Sequence, residues 1–187
     1  MKKPTNAPNL LEQTLAAAEQ DQQTTDAARE SIVDLPDGAS FHDSVRHNDD
    51  RGSVTELYDP RWNWHSDPLV FAYMFTIRPG MVKGWGLHKL HEDRYFVVQG
   101  EMELILYDPR PDSPTRGKIS KVYLSAARPR LFNVPRFVWH ADRNIGDTEL
   151  AVINFPTIQY DHTNPDKYRL PLDTKLIPYD FGEINGW

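Results

Sequence analysis

The chain has 187 residues, enough for one domain with a full core and too few for two comfortable ones. Its 21 basic side chains against 27 acidic ones leave a net charge of −6, which argues against non-specific nucleic-acid binding because that needs a net basic face. The absence of cysteine excludes disulfides and thiolate metal sites, and no apolar run approaches the ~20 residues of a membrane span.

Residues 1–39 read as an N-terminal helical or mobile segment. They are rich in Gln, Thr, Asp, Glu and Ala, and the stretch before Pro36 holds no aromatic residue. Asn9 can cap a helix from Leu10 to Glu19, and a second helical piece is predicted over Thr25–Val33, stopped by Pro36-Asp37-Gly38. The opening MKKPTNAPNLLEQ carries charge but no apolar signal-peptide core, so a cytoplasmic location is expected.

From residue 40 to 187 the pattern changes to short aromatic and β-branched runs. Strands are predicted at Val54–Tyr58, Leu69–Arg78, Tyr95–Tyr107 (broken by a turn at Gly100-Glu101), Ile119–Leu124, Arg130–Val134, Phe137–His140 and Leu150–Asn154. Asn48 to Gly52 reads as a turn, and Asp108–Lys118 as a Pro-rich charged loop. Many short strands separated by turn residues indicate an all-β sandwich or barrel. After Phe155 the chain is loop-rich, yet it keeps Tyr160, Tyr168, Tyr179, Phe181 and Trp187, so this tail is expected to pack on the domain.

Two stretches carry the polar chemistry. Gly80 to Gly100 sets His88, His91, Glu92, Asp93 and Arg94 between glycines, and Pro135 to His140 adds a histidine in a second strand-and-turn region. Flanking strands point these side chains into the mouth of a barrel. If Asp93 faces inward, strand alternation puts Tyr95 inward and Arg94 outward. Taken alone, His91 and Glu92 read as solvated surface residues, and the tryptophans as packing.

The spacing resembles the two motifs of the cupins. Gly80, Gly86-Leu87-His88, Asp93 and Gly100 follow the first motif, with Gly in place of its first His and Asp in place of its Glu; Pro135, His140 and Asn144 follow the second, with Phe137 at its glycine. The resemblance implies a cupin-type β-barrel, or jelly roll. A narrower likeness points to the dTDP-4-dehydrorhamnose 3,5-epimerases, from Asp49-Asp50-Arg51-Gly52-Ser53-Val54-Thr55-Glu56, Gly86-Leu87-His88 and Tyr160-Asp161. It implies proton abstraction next to the ketone of a nucleotide-linked 4-keto-6-deoxy sugar, without a cofactor, in a homodimer.

In that resemblance His88 is the base and Asp173 its orienting carboxylate. Arg51 contacts the diphosphate, with Lys83, Arg94, His140 and Trp85 as further substrate-binding positions. The chain departs from the family at Trp85, where an arginine is expected, at Asp93, where a lysine is expected, and near Asn154, where the proposed acid is a tyrosine. Asp93 opens an alternative: a metal-dependent, oxygenase-type cupin holding Fe or Zn through His88, Asp93 and His140. A catalytically silent sugar-binding cupin is the other alternative.

Overall fold

A computed structural model of the chain describes residues 9–27, 33–183 and 185–186. It forms two compact units, Met1–Ile32 and Val33–Trp187.

In the first unit a helix, α1 (Leu10–Ala17), starts where the sequence predicts. Asn9 accepts from the Glu12 backbone N–H at 3.0 Å, and Glu12 returns a carboxylate to the Asn9 N–H at 2.9 Å. This reciprocal cap satisfies two of the orphan donors of the first turn. The helix buries none of its residues. Of the second predicted helix, Thr25–Ala27 and Val33 are not helical, and the residues between lie outside the described ones.

The second unit is all-β. In chain order its strands are β1 (Ser40–Asp43), β2 (Arg46–Asp49), β3 (Gly52–Thr55), β4 (Tyr73–Ile77), β5 (Met81–Leu87), β6 (Asp93–Gln99) and β7 (Glu101–Tyr107). There follow β8 (Ile119–Ser125), β9 (Arg130–Val134), β10 (Trp139–Asn144), β11 (Leu150–Asn154), β12 (Tyr168–Arg169) and β13 (Asn185–Gly186). One sheet has the order β1-β9-β6-β11-β4, and the other β12-β5-β10-β7-β8 with β13 also on β5. Among the described residues, the β13–β5 pair alone is parallel. The arrangement is a cupin-type jelly roll, and β2 and β3 form a separate two-stranded hairpin.

Strand alternation decides which side chains meet. Met102, Leu104 and Leu106 of β7 face Tyr95, Val97, Phe132, Val134 and Val152 in the main core. The same core takes in Val33, Leu35 and Ala39, so the compact unit begins at Val33, upstream of the predicted boundary at 40. The outer face of the second sheet is covered in part. Ile177, Tyr179 and Phe181 of the tail cover Val82, Trp85 and Ile105, with the Trp85 and Tyr179 rings edge-to-face at 6.2 Å. Leu57, Tyr58, Trp62 and Trp64 cover Phe96 and Phe155 on the outer face of the first sheet.

Three differences from the predicted strands have local causes. β4 starts at Tyr73 rather than Leu69 because its partner β11 ends at Asn154, the residue opposite Tyr73, leaving residues 69–72 no ladder to join. β5 is absent from the predicted strands, since Gly84 and Gly86 dilute its apolar pattern. The β10 ladder starts at Trp139, because Phe137 is a turn residue with φ +61°, the left-handed conformation that the motif's glycine would adopt freely.

Candidate active site

A cavity of about 200 Å³ opens between the two sheets at the end where β5 stops and β6 starts. His88, just past β5, and His140 on β10 both line it. Their convergence follows from the ladder, in which His140 sits opposite Gly86. A Cβ at residue 86 would lie 3.2 Å from His140 Nε2, so the glycine that replaces the first motif histidine makes room for this ring. From the facing sheet β6 turns Asp93 and Tyr95 into the cavity.

Asp93 is the hub. Its Oδ2 lies 3.1 Å from His88 Nε2 and 3.8 Å from His140 Nε2, and it accepts from the Tyr95 hydroxyl at 3.2 Å. Its Oδ1 accepts from Asn154 Nδ2 at 2.7 Å and lies 3.5 Å from His91 Nε2. On the far side of His88, Nδ1 meets the Asp166 backbone carbonyl. A carbonyl only accepts, so Nδ1 carries the hydrogen and the lone pair of the neutral ring lies on Nε2, beside Asp93. The Asp166 carboxylate holds His91 Nδ1 at 2.9 Å and takes the backbone N–H groups of Lys89 and Leu90.

These contacts set the charges. Burial lowers the His88 pKa, but the Asp93 charge, its hydrogen bond and the Asp166 carbonyl outweigh this and leave it above the ordinary imidazole value. Asp93 is pushed up by burial and pulled down further by His88, His91 and His140, ending well below the carboxylate range. The pair therefore favours an imidazolium beside a carboxylate, the arrangement a base reaches after it has taken a proton. His140 behaves oppositely. Burial, then the His88 charge, brings it down to about 3, so it stays neutral. Burial and the Asp93 charge raise Asp142, on the same cavity wall, to about 7.

The sequence-derived candidates separate clearly. His88, His140 and Lys83 line the cavity. Asp173 does not. It is exposed and lines a groove with Leu172, Asp180 and Phe181, and the groups holding His88 are Asp93 and Asp166. Arg94 points away from the cavity, as strand alternation requires once Asp93 and Tyr95 face inward. Its guanidinium donates to the Tyr58 hydroxyl (2.8 Å) and to the carbonyls of Asp67 (2.9 Å), Pro68 (2.9 Å), Phe155 (2.6 Å) and Pro156 (3.3 Å). It is a structural clamp, with no reach to a ligand. Trp85 is fully buried under the tail and cannot stack on a sugar. Arg51 is exposed on the β2–β3 hairpin, paired with Asp49 at 2.6 Å, and is not among the residues lining the cavity of its own chain.

His91 and Glu92 also differ from expectation. His91 is buried in the Asp93–Asp166 network. Glu92 bonds His65 and Asn133 and faces Arg136, a partly buried bracket between loops. The residues missed from sequence are Tyr73, Asp142, Asp166, Lys167 and Arg169. Asp166 to Arg169 arrive from a loop and a two-residue strand with no periodicity to flag them. Asp142 had a signal available, being two residues beyond His140 on one strand face.

One ring nitrogen each of His88 and His140 and an Asp93 oxygen lie within 4.8 Å of one another, a donor set that suits a divalent ion; His88, His91 and Asp166 form a second such group. The Nδ1–H of His88 is held by a carbonyl, as metal-ligating histidines usually are. The residues thus fit a metal as well as a proton-transfer site.

Comparison with known proteins agrees with this architecture. The family description "Polysaccharide biosynthesis C-terminal domain" matches residues 47–168. The spore coat polysaccharide biosynthesis protein SpsL of Bacillus subtilis is 31% identical over 147 residues, 78% of this chain and 95% of that protein. The probable low-salt glycan biosynthesis epimerase Agl13 of Haloferax volcanii is 35% identical over 141 residues, covering 74% and 90%. Among solved structures, a dTDP sugar isomerase from Desulfovibrio desulfuricans superposes with a TM-score of 0.73 at 26% identity, covering 81% of this chain and 94% of that one. With matching sequence along most of its length and a jelly roll shared with a dTDP sugar isomerase, the chain belongs to the polysaccharide biosynthesis C-terminal domain family, on the epimerase branch of the cupin fold.

Proposed function

We propose that this protein is an epimerase or isomerase of a nucleotide-linked 4-keto-6-deoxy sugar, working by proton abstraction next to the ketone. The observation that carries the reading is the His88–Asp93 pair: Nδ1–H is pinned by Asp166, so Nε2 is the basic atom, and Asp93 stabilises the imidazolium that forms. A proton α to a ketone is within reach of such a base once the enolate oxygen is stabilised, and Lys83, Lys167 and Arg169 on the cavity wall supply positive charge for that oxygen and for a diphosphate. The epimerase and dTDP-sugar names among its relatives support the same reading. Deuterium wash-in from D2O at the carbons next to the ketone of a dTDP-4-keto-6-deoxy sugar, followed by NMR, tests it. Wild-type protein exchanges these positions and His88→Asn does not; a wild type that binds no nucleotide sugar and exchanges nothing overturns it.

The homodimer and the cytoplasmic location belong to the same proposal. The β2–β3 hairpin buries almost nothing against its own unit, and Val54 on it is 68% exposed. A hairpin without a packed face is marginal alone, which supports its docking on a second copy and carrying Arg51 toward that copy's cavity. Light scattering at micromolar concentration checks this, a monomer being the contrary result.

The metal reading keeps one specific observation, the convergence of His88, Asp93 and His140. When bound there, an ion would polarise a substrate oxygen. Elemental analysis of the purified protein decides between the two: stoichiometric iron or zinc, together with no nucleotide-sugar binding, selects the metal-dependent cupin.

A further inference from the structure

Changing the configuration of a carbon takes two proton carriers, one on each face of the planar enolate. His88 accounts for one. On the wall that faces it, β4 and β6 of the other sheet present few protic groups, and they differ in whether their protons are already spent. We propose that Tyr73 is the acid that delivers a proton to the enolate face opposite His88. This inference rests on the epimerase reading above and names a second catalytic residue for it.

The placement comes first. Tyr73 opens β4, the edge strand of the five-stranded sheet, and lines the same cavity as His88, which follows β5 of the six-stranded sheet. Base and acid thus come from opposing sheets, with the cavity between them. Lys83 and Asp142 come from β5 and β10 on the sheet that also presents His88 and His140, so they stand on the base's side.

The hydrogen bonding then singles Tyr73 out. Its cross-strand partner in the ladder is Asn154. Asn154 uses one Nδ2 group to hold the Tyr73 hydroxyl oxygen at 3.0 Å and the Asp93 carboxylate at 2.7 Å, while its Oδ1 accepts the Arg94 backbone N–H at 3.0 Å. The amide orientation is therefore fixed from both ends. Because the Tyr73 oxygen is the acceptor in its bond to Asn154, its own hydrogen is not consumed there. Among the described residues, that hydroxyl donates to no protein acceptor. Tyr95, the other phenol in the cavity, donates its hydrogen to Asp93 and is 3% exposed. Burial, and then the nearby Asp93 charge, hold the Tyr73 pKa above that of an ordinary phenol, so the proton is in place throughout the working range.

The step balances. His88 Nε2 takes the proton from the carbon, whose bonding pair becomes the enolate. The Tyr73 O–H bond then breaks as a new C–H bond forms on the opposite face from the enolate pair, and the ketone is restored. The phenolate regains a proton from water at the cavity mouth, and the His88 imidazolium releases one. No oxidant, reductant or co-reactant is needed, and each inversion leaves one solvent hydrogen on the carbon.

The test separates the two halves of the reaction. Wild type, Tyr73→Phe and His88→Asn are incubated in D2O with a dTDP-4-keto-6-deoxy sugar, and exchange and inversion are followed together by NMR. Tyr73→Phe is expected to keep deuterium wash-in with retained configuration while inversion falls at least ~100-fold, the lower end of what a positioned acid contributes. His88→Asn loses both. Inversion by Tyr73→Phe within about threefold of wild type overturns the proposal, as does a parallel loss of exchange and inversion. A ~10-fold loss of dTDP affinity in Tyr73→Phe, measured by calorimetry, also overturns it by placing the residue in binding. A wild type that exchanges nothing overturns the epimerase reading itself, a result distinct from all of these.

Discussion

At the scale of single residues, the His88–Asp93 pair predicts a pH profile. The base form is neutral His88, and its folded pKa is raised, so exchange increases as pH rises through a value above 6.5 and then levels. Asp93→Asn removes the charge that raises it and leaves burial to act, so the increase moves to lower pH while the plateau falls ~10²-fold or more. A profile that stays put shows that Asp93 does not tune His88. The stability sign differs for the two partners. The His88 contribution is complete below the unfolded imidazole value and is lost as pH rises through its folded pKa. The Asp93 contribution is complete above the ordinary carboxylate value and is lost as pH falls through its depressed pKa. Gly86→Ala gives a second prediction. The new Cβ, 3.2 Å from His140 Nε2, displaces that ring or opens the β5–β10 ladder, so exchange drops ~10-fold or more with a loss of about 1 kcal/mol in urea unfolding. Full activity in Gly86→Ala shows that the ring has slack. The spacing of the two strand-turn stretches made His88, Asp93 and His140 legible, because a ladder converts fixed intervals into a shared face. Asp166 and Lys167 were illegible for the complementary reason: they reach the site through a loop, and a loop has no period.

Among the elements, β9 and β11 match the predicted bounds, while β6 starts at Asp93, two residues before the predicted Tyr95. Its break from β7 at Gly100 is a turn with φ +81°, and a Cβ there would meet Leu150 Cα at 3.2 Å, so glycine is required twice over. Its alternation was also legible, and that alternation is what removes Arg94 from the site. The sequence could not say where an outward arginine ends up, since its partners are the Tyr58 hydroxyl and carbonyls of residues 67–68 and 155–156, which belong to no strand. The clamp has a measurable consequence. Arg94→Ala leaves buried carbonyls unpaired and detaches the loop that covers Phe96 and Phe155, so unfolding free energy falls by about 3 kcal/mol. Substrate KM stays within about threefold at a temperature where the variant is folded. The opposite pattern, intact stability with a raised KM, returns Arg94 to ligand binding.

For the whole molecule, what matters is that part of each outer sheet face is covered by chain that reads as loop. Two segments without strand periodicity, residues 57–64 and 177–181, pack on these faces, and their aromatics are the legible hint that they do. The tail can be tested without touching the cavity, because Lys167 and Arg169 precede its packed part and the base and its partners lie elsewhere. Deleting residues 176–187 uncovers Val82, Trp85 and Ile105 and removes the buried Ile177 and Phe181. Fully burying side chains of this size contributes ~1.5–3 kcal/mol each, so the deletion costs about 3–6 kcal/mol before the newly exposed Trp85 face is counted. A domain of this size holds only ~5–15 kcal/mol in total. The truncated chain is therefore expected to unfold at markedly lower urea concentration, with Trp85 fluorescence shifted to the red in the native baseline. Exchange at low temperature persists, since the His88–Asp93 pair and the cavity wall are intact. An unchanged urea midpoint removes the tail from the core, and a stable truncated protein without exchange makes the tail part of the site.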